Sequence, residues 1–514
     1  MIFKTIIQMP KKITTIVFCC LFACTLSNAQ RLRLDSIDSF IQKFRIDFEV
    51  PGLAIGIVHN DSILFAKGYG TREIHKDLPV NENTIFGIGS ISKSFTALTL
   101  GILVSEGKIH WDDRVKDYLP YFELYDPYVT ETFTIRDLLT HRSGLKRVSG
   151  GTLWYHSDLT RTEIIKRLKY LKPVSEFRDG AAYQNVMYLV AGEIVREVSG
   201  MSWDEFLKAK VLNKLNMKNS ASIYNVRETN RNLAQPHIMD ENFQKTAIIQ
   251  EKGDNLAAGG FIYSSVQDMS NYMRLLLNDG IFNDDTIIDK HELNEIFKPQ
   301  IHFPMASAYN EFTSYGLGWW LTPKNEHKII EHSGGIDGMT AHLIMIKDLN
   351  IGVVALVNTY ESPSVITKKI IAQVLNDKSY DIYEKIKSER DNRIIQKKSN
   401  SINLETLRIK NTQPSLKMES YTGNYTDDMY GGIVIKELPD KQLEISFSHT
   451  PLFSGKLKHW HYDTFLIDWY DIRVPNGFLT FNFDAKQDIT GFSLKQENLL
   501  DVDFSELTIK RNRY

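Results

Sequence analysis

Apolar and polar positions follow three different rhythms along this chain. From Pro51 to Val58 the sequence reads Pro-Gly-Leu-Ala-Ile-Gly-Ile-Val, breaks at His59-Asn60-Asp61-Ser62, and resumes as Ile63-Leu64-Phe65-Ala66. Two apolar runs around a polar turn predict a β-hairpin. A second pair lies far downstream: Ala341 to Ile346, a turn at Lys347-Asp348-Leu349-Asn350, then Ile351 to Val357. A helix from about Ser362 to Leu375 is predicted to close that section.

Between the hairpins the period becomes helical. Ile91, Phe95, Leu98 and Ile102 share one face of a helix that opens at Ser90 and stops near Gly107. Thr134 to Thr140, Tyr188 to Val198 and Asp268 to Leu277 read as further helices. Hairpin, helical middle and hairpin in that order predict an α/β or α+β domain. Its two ends share one sheet beside an inserted helical region, and the cleft lies between the layers.

The third rhythm begins after Asn376. Tyr383-Glu384-Lys385-Ile386-Lys387-Ser388-Glu389-Arg390 is dense in charge and predicts a solvated connecting helix. From Tyr421 the chain turns to short alternating segments, Gly432–Leu438, Gln442–Phe447, Thr464–Trp469, Gly477–Phe483 and Ile489–Leu494, punctuated by Pro439-Asp440 and Pro475-Asn476-Gly477. That pattern predicts a small all-β domain, a closed or half-closed barrel. The expected boundaries are a leader at 1–29, a first domain at 30–378, a charged linker at 379–415 and the barrel at 416–514.

With 514 residues, 42% hydrophobic and 24% charged, the chain has room for two or three ordinary globular domains. A formal charge of −2 leaves no basic footprint, which argues against nucleic acid as a partner. Lys4, Lys11 and Lys12, the apolar run Ile13 to Leu26, and Ser27-Asn28-Ala29 together read as a secretory signal peptide cut after Ala29. No later segment reaches the length of a membrane span, and an exported chain whose cysteines all fall in its leader fits the periplasm. Cys19, Cys20 and Cys24 all fall inside the leader, leaving the remainder without a disulfide or thiol nucleophile. Leu21-Phe22-Ala23-Cys24 loosely resembles a lipobox, and a lipid anchor at Cys24 is the alternative.

Three short segments carry candidate chemistry. Gly89-Ser90-Ile91-Ser92-Lys93 places a hydroxyl and an amine three residues apart at a helix start, where they share a face. A serine needs a neighbouring base, and a buried lysine with a depressed pKa supplies one. Tyr183-Gln184-Asn185 points its first and third side chains the same way; Tyr183 can relay a proton if nearby cations lower its pKa. Next comes His332-Ser333-Gly334-Gly335, whose glycines allow close backbone approach. A backbone N–H from this stretch and that of Ser90 would make an oxyanion hole. His459-Trp460-His461 lacks a third ligand and reads as strand surface rather than a metal site.

The order and spacing of these segments resemble the serine β-lactamase and penicillin-binding-protein superfamily, in its class C β-lactamase-like branch. Supporting matches include Trp111-Asp112-Asp113, Leu139-Thr140-His141-Arg142-Ser143-Gly144-Leu145, Ala258-Gly259-Gly260 and Tyr315-Gly316-Leu317-Gly318-Trp319. The resemblance implies Ser90 as nucleophile, Lys93 as base and Tyr183 as proton relay. It implies Asn185 as a substrate ligand, His332 as a catalytic residue lining the cleft and helping to hold Tyr183 or the substrate, Ser333 and Gly334 as substrate-binding positions, and the N–H groups of Ser90 and Gly335 as the oxyanion hole. No metal or cofactor is implied, and the expected partner is a small ester, amide or peptide. Histidine stands at 332 where class C β-lactamases usually carry lysine, a pattern similar to DD-carboxypeptidase, D-aminopeptidase and esterase relatives. β-Lactam hydrolysis is the alternative, and a non-hydrolytic penicillin-binding or scaffold protein the second. The C-terminal segment, through Tyr421-Thr422-Gly423-Asn424-Tyr425 and Leu457-Lys458-His459-Trp460, resembles a lipocalin-like barrel often appended to this family.

Overall fold

The computed structural model describes residues 32–222, 232–240, 243–250, 253–303, 312–406, 408–496, 499 and 501–512. The leader and anchor readings at 1–29, with Cys24, lie outside them. The longest helices among the described residues are α1 (Leu34–Asp47), α2 (Ser92–Ser105), α3 (Val186–Ser199), α4 (Val266–Leu277), α5 (Ser364–Val374) and α6 (Tyr383–Thr406). The first domain's sheet has eight strands: β1 (Gly52–His59), β2 (Ser62–Gly70), β3 (Ile301–His302), β4 (Ser314–Tyr315), β5 (Trp320–Lys324), β6 (His327–Ile336), β7 (Met339–Ile346) and β8 (Ile351–Val357). Its order is β2-β1-β8-β7-β6-β5-β4-β3, so the N-terminal hairpin completes a sheet begun by the last strands. Leu53 faces Val357 and His59 faces Ile351 across that antiparallel seam.

The uninterrupted apolar runs have a simple cause, because both faces of the sheet are covered. Leu53, Ile55 and Ile57 on β1, with Val353 and Ala355 on β8, pack with Ile37, Ile41 and Phe44 of α1 and Ile366, Ile370 and Ile371 of α5. Ala54 and Val58 point the other way, joining Leu343, Met345 and the helical region around Phe95 and Tyr272. Each fully buried side chain of this kind contributes about 1.5–3 kcal/mol. Asn60 and Asp61, both at positive φ, make the β1–β2 turn.

The second domain is a closed barrel of eight strands: β9 (Gly423–Asp427), β10 (Gly431–Glu437), β11 (Leu443–Phe447), β12 (Ser454–His461), β13 (Thr464–Trp469), β14 (Gly477–Phe483), β15 (Ile489–Lys495) and β16 (Ile509–Arg511). Tyr421, Tyr425, Phe465, Phe481 and Phe492 fill its interior, with ring centroids 4.7–6.3 Å apart. The five alternating segments read from the sequence are β10, β11, β13, β14 and β15; β9, β12 and β16 are the strands that reading did not name. β12 carries a bulge between His459 and His461, which breaks the period of two.

Helix α6 occupies most of the 379–415 segment, and its start is packed rather than solvated. Tyr383 is buried beside Tyr380 and Phe48, and Arg390 pairs with Glu49 at 2.6 Å and Glu361 at 3.1 Å. The barrel docks on the first domain through Arg167, whose guanidinium reaches the carbonyls of Met429 (2.7 Å) and Tyr430 (2.8 Å). Tyr155 stacks on Phe453 across the seam, with centroids 6.1 Å apart. No described helix is long and apolar enough to cross a membrane.

Candidate active site

Ser90 sits in a single 3₁₀ turn, Gly89–Ile91, that runs directly into α2. Gly89 has a φ of +52°, and a β-carbon there would meet the Gly335 nitrogen at 2.3 Å. One on Gly334 would lie 1.8 Å from the Ile88 carbonyl oxygen and 3.1 Å from the Ser90 nitrogen. The glycines therefore let the end of β6 lie against the Ser90 turn, and Ser90 and Gly335 line one pocket. Ser333 and Gly335 are on the exposed face of β6, while His332 and Gly334 are buried.

Lys93, one turn into α2, is fully buried. Its Nζ lies 3.1 Å from Ser90 Oγ, 2.7 Å from Asn185 Oδ1 and 2.6 Å from the Gly259 carbonyl oxygen. Burial drives its pKa down to about 7, opposed by the Asp501 carboxylate. A neutral amine has two N–H bonds and one lone pair. Asn185 Oδ1 and the Gly259 carbonyl only accept, so they take the N–H bonds, and the lone pair falls to the Ser90 hydroxyl.

The Tyr183-Gln184-Asn185 segment is held by the loop around His141. Its alternation is as the spacing predicts: Asn185 faces Lys93, and the Tyr183 ring lies 4.8 Å from Nζ. Gln184 points the opposite way, donating to the Leu145 (3.0 Å) and Lys146 (2.7 Å) carbonyls and accepting from Ser143. The Gln184 N–H donates to His141 Nδ1 at 3.1 Å, and the His141 ring lies 4.2 Å from that of Tyr183. Beneath this loop the buried Asp137 carboxylate binds both Arg142 (2.5 Å) and Arg178 (2.6 Å), fixing the approach to Tyr183 from both sides.

Two expectations change here. Burial pushes the Tyr183 pKa well above the ordinary value, outweighing its hydrogen bond with Ser90 and the nearby Arg147 charge, both of which pull it down. Tyr183 is therefore held as a neutral phenol, able to donate a proton. His332 bonds to Tyr315 rather than Tyr183, with Nε2 2.9 Å from the Tyr315 hydroxyl and Nδ1 2.6 Å from the Ser333 carbonyl oxygen. The carbonyl only accepts, so Nδ1 carries the proton and Nε2 accepts from Tyr315. Burial and the Lys93 charge lower its pKa to about 3, so the ring is neutral at pH 7.

Asp501 went unseen in the sequence. It lies between β15 and β16 of the barrel, yet its Oδ2 accepts a 3.0 Å hydrogen bond from Asn185 Nδ2. It lines the Ser90 pocket with Trp154, Tyr155, Phe261 and Asp337. Burial raises its pKa, against the pull of Lys93 and Arg147. Nothing near Asp501 in the sequence signals this; the distance from Ser90 along the chain hides it.

Ser90, half-buried, meets a fully buried lysine backed by a tyrosine and an asparagine beside an antiparallel sheet, an arrangement chemically suited to acyl transfer through a serine. The β-lactamase family model matches residues 37–375, and the chain belongs to that family. A domain of unknown function, DUF3471, matches residues 407–511 and coincides with the barrel. Among similar proteins, the unguisins hydrolase ungD' of Aspergillus campestris is 25% identical over 411 residues, covering 76% of this chain and 75% of that protein. Protein flp of Staphylococcus aureus is 26% identical over 364 residues, covering 68% and 69%. The octameric penicillin-binding protein homologue from Pyrococcus abyssi superposes with a TM-score of 0.62 at 24% identity, over 91% of this chain and 99% of that one. That last likeness shows the shared fold.

Proposed function

We propose that this protein is an exported serine hydrolase that cleaves ester or amide bonds through an acyl-enzyme on Ser90. The observation that carries the reading is the Lys93 amine, desolvated and 3.1 Å from the Ser90 hydroxyl with its two N–H bonds already directed elsewhere. As Ser90 Oγ attacks the carbonyl, its proton passes to Lys93. The carbonyl oxygen gathers charge between the Ser90 and Gly335 N–H groups. Tyr183, kept as a phenol, donates a proton to the leaving oxygen or nitrogen and is restored through Lys93. Water then attacks the acyl-enzyme by the reverse path.

The neutral His332 supplies no fixed positive charge for a substrate carboxylate. This favours esters and D-aminopeptidase-type amides, which need no carboxylate clamp beside the scissile bond, over β-lactams. A relative named as a hydrolase supports catalysis rather than a scaffold role. The test is intact mass after brief exposure to a fluorophosphonate, with Ser90→Ala as control. One adduct, absent from the variant, is expected, followed by turnover of esters or D-peptides; a folded wild type that takes no adduct overturns the reading.

A further inference from the structure

The proposed hydrolytic steps use no barrel residue, yet Asp501 of the barrel touches the site. The segment Asp501–Glu506 is clamped onto the first domain at several points. Glu506 accepts from the Gly150 N–H at 2.9 Å and from the Ser149 hydroxyl, and Asp503 pairs with Lys146. Gly151 is in such close contact that a β-carbon there would lie 1.8 Å from the Asp501 carbonyl oxygen. The Asp501 backbone, at φ +60°, is thus held at a fixed height over the pocket.

The Asn185 amide can sit in either of two orientations related by a half-turn. A carboxylate can only accept, so Asp501 fixes Nδ2 toward itself and Oδ1 toward Lys93. With Oδ1 in that place, Asn185 takes one N–H of Lys93, Gly259 takes the other, and the lone pair meets Ser90. The opposite orientation would set an NH₂ group against the amine and turn the lone pair away from the serine.

We propose that Asp501 is a positioning residue for acylation: the C-terminal barrel sets the Asn185 amide, and through it aims the Lys93 lone pair at Ser90. The inference rests on the hydrolase reading and goes further by making the barrel part of the active site. Charged and titratable groups facing Lys93 are Asp501, Tyr183, Tyr188, His141 and His332, with Arg147 and Asp337 acting on Asp501 from beyond. Of these, Asp501 is the acid that favours the lysine's charged form.

The test is the second-order rate of Ser90 phosphonylation by a fluorophosphonate, followed against pH. In that step the Ser90 Oγ–P bond forms, P–F breaks, fluoride leaves and the serine proton goes to Lys93. Two substitutions suit a positive φ. Asp501→Gly removes the side chain, and Asp501→Asn keeps an acceptor while removing the charge. Asp501→Gly is expected to lose at least tenfold in the plateau rate. Asp501→Asn is expected to keep more of the rate, with its rising limb displaced to lower pH as the carboxylate no longer favours the ammonium. Circular dichroism and melting curves matching the wild type separate this from misfolding. A labelled wild type with both variants equal to it in rate and pH midpoint overturns this inference alone. A wild type that takes no label overturns the hydrolase reading and this inference together.

Discussion

Lys93 meets Ser90 at 3.1 Å from inside a fully buried environment, and its other two partners can only accept. The pair is therefore poised as amine and hydroxyl, with the amine's pKa lowered to about 7 chiefly by burial. The acylation rate should climb with pH through about 7 and level off above it, because protonated Lys93 cannot accept the serine proton. Lys93→Ala should lower it by about 10²–10⁴-fold, the usual worth of a general base. Stopped-flow ester acylation across pH 5–9 reads both; a flat profile, or an unimpaired variant, removes Lys93 from the role.

The same lysine makes stability depend on pH. Its folded pKa lies below the unfolded value near 10.5, so between about 7 and 10.5 the unfolded chain binds more protons than the folded one. Stability then rises with pH in that window, by at most about 1.4 kcal/mol per unit, and the burial penalty is fully present below it. Urea unfolding at pH 7, 8 and 9 should show wild type gaining on Lys93→Met. Parallel behaviour of the two chains contradicts the buried, mostly neutral amine.

Tyr183 retains its proton under all ordinary conditions, since burial holds its pKa far up. Tyr183→Phe should slow acylation and deacylation together, by about a hundredfold, while the fold survives. Burst kinetics on a chromogenic ester separate the two steps. If only one slows, the phenol serves a single transfer and the relay is wrong.

Gly151→Ala should unseat the barrel segment at Asp501, because the new methyl would lie 1.8 Å from that residue's carbonyl oxygen. The expected result is a loss of about 1–3 kcal/mol of stability, typical of overpacking, with slower Ser90 labelling. Melting temperature and labelling rate on the same samples check it. A variant as stable and as fast as wild type would mean that the domains meet more loosely than this contact requires.

How much of this was legible in the sequence varied with distance. Ser90 and Lys93, or Tyr183 and Asn185, could be paired from local geometry alone, since three residues on a helix or two on an extended strand fix a shared face. The apolar runs at Pro51 and Ile351 announced strands, and their turns announced hairpins. The function of Leu139 to Leu145 was missed, because holding Tyr183 through the Gln184 backbone and side chain depends on a loop meeting that no period encodes. His332 was placed in the cleft, but its bond to Tyr315 required knowing that β4 and β6 flank β5 in one sheet. Asp501 was invisible for the same reason on a larger scale: one carboxylate in a barrel loop gains meaning only from the domain across the seam.

The seam between β1 and β8 carries a consequence for how the molecule comes into being. Leu53 and Val357 are neighbours in the sheet yet roughly 300 residues apart along the chain, and such distant pairings are slow to form. On the ribosome, the hairpin from Gly52 to Gly70 emerges first and must wait for its partner strand while most of the domain is still being made. Its apolar face stays uncovered through that interval, a target for chaperones and an opening for aggregation. The exposure ends only when residues 351–357 arrive and close the sheet.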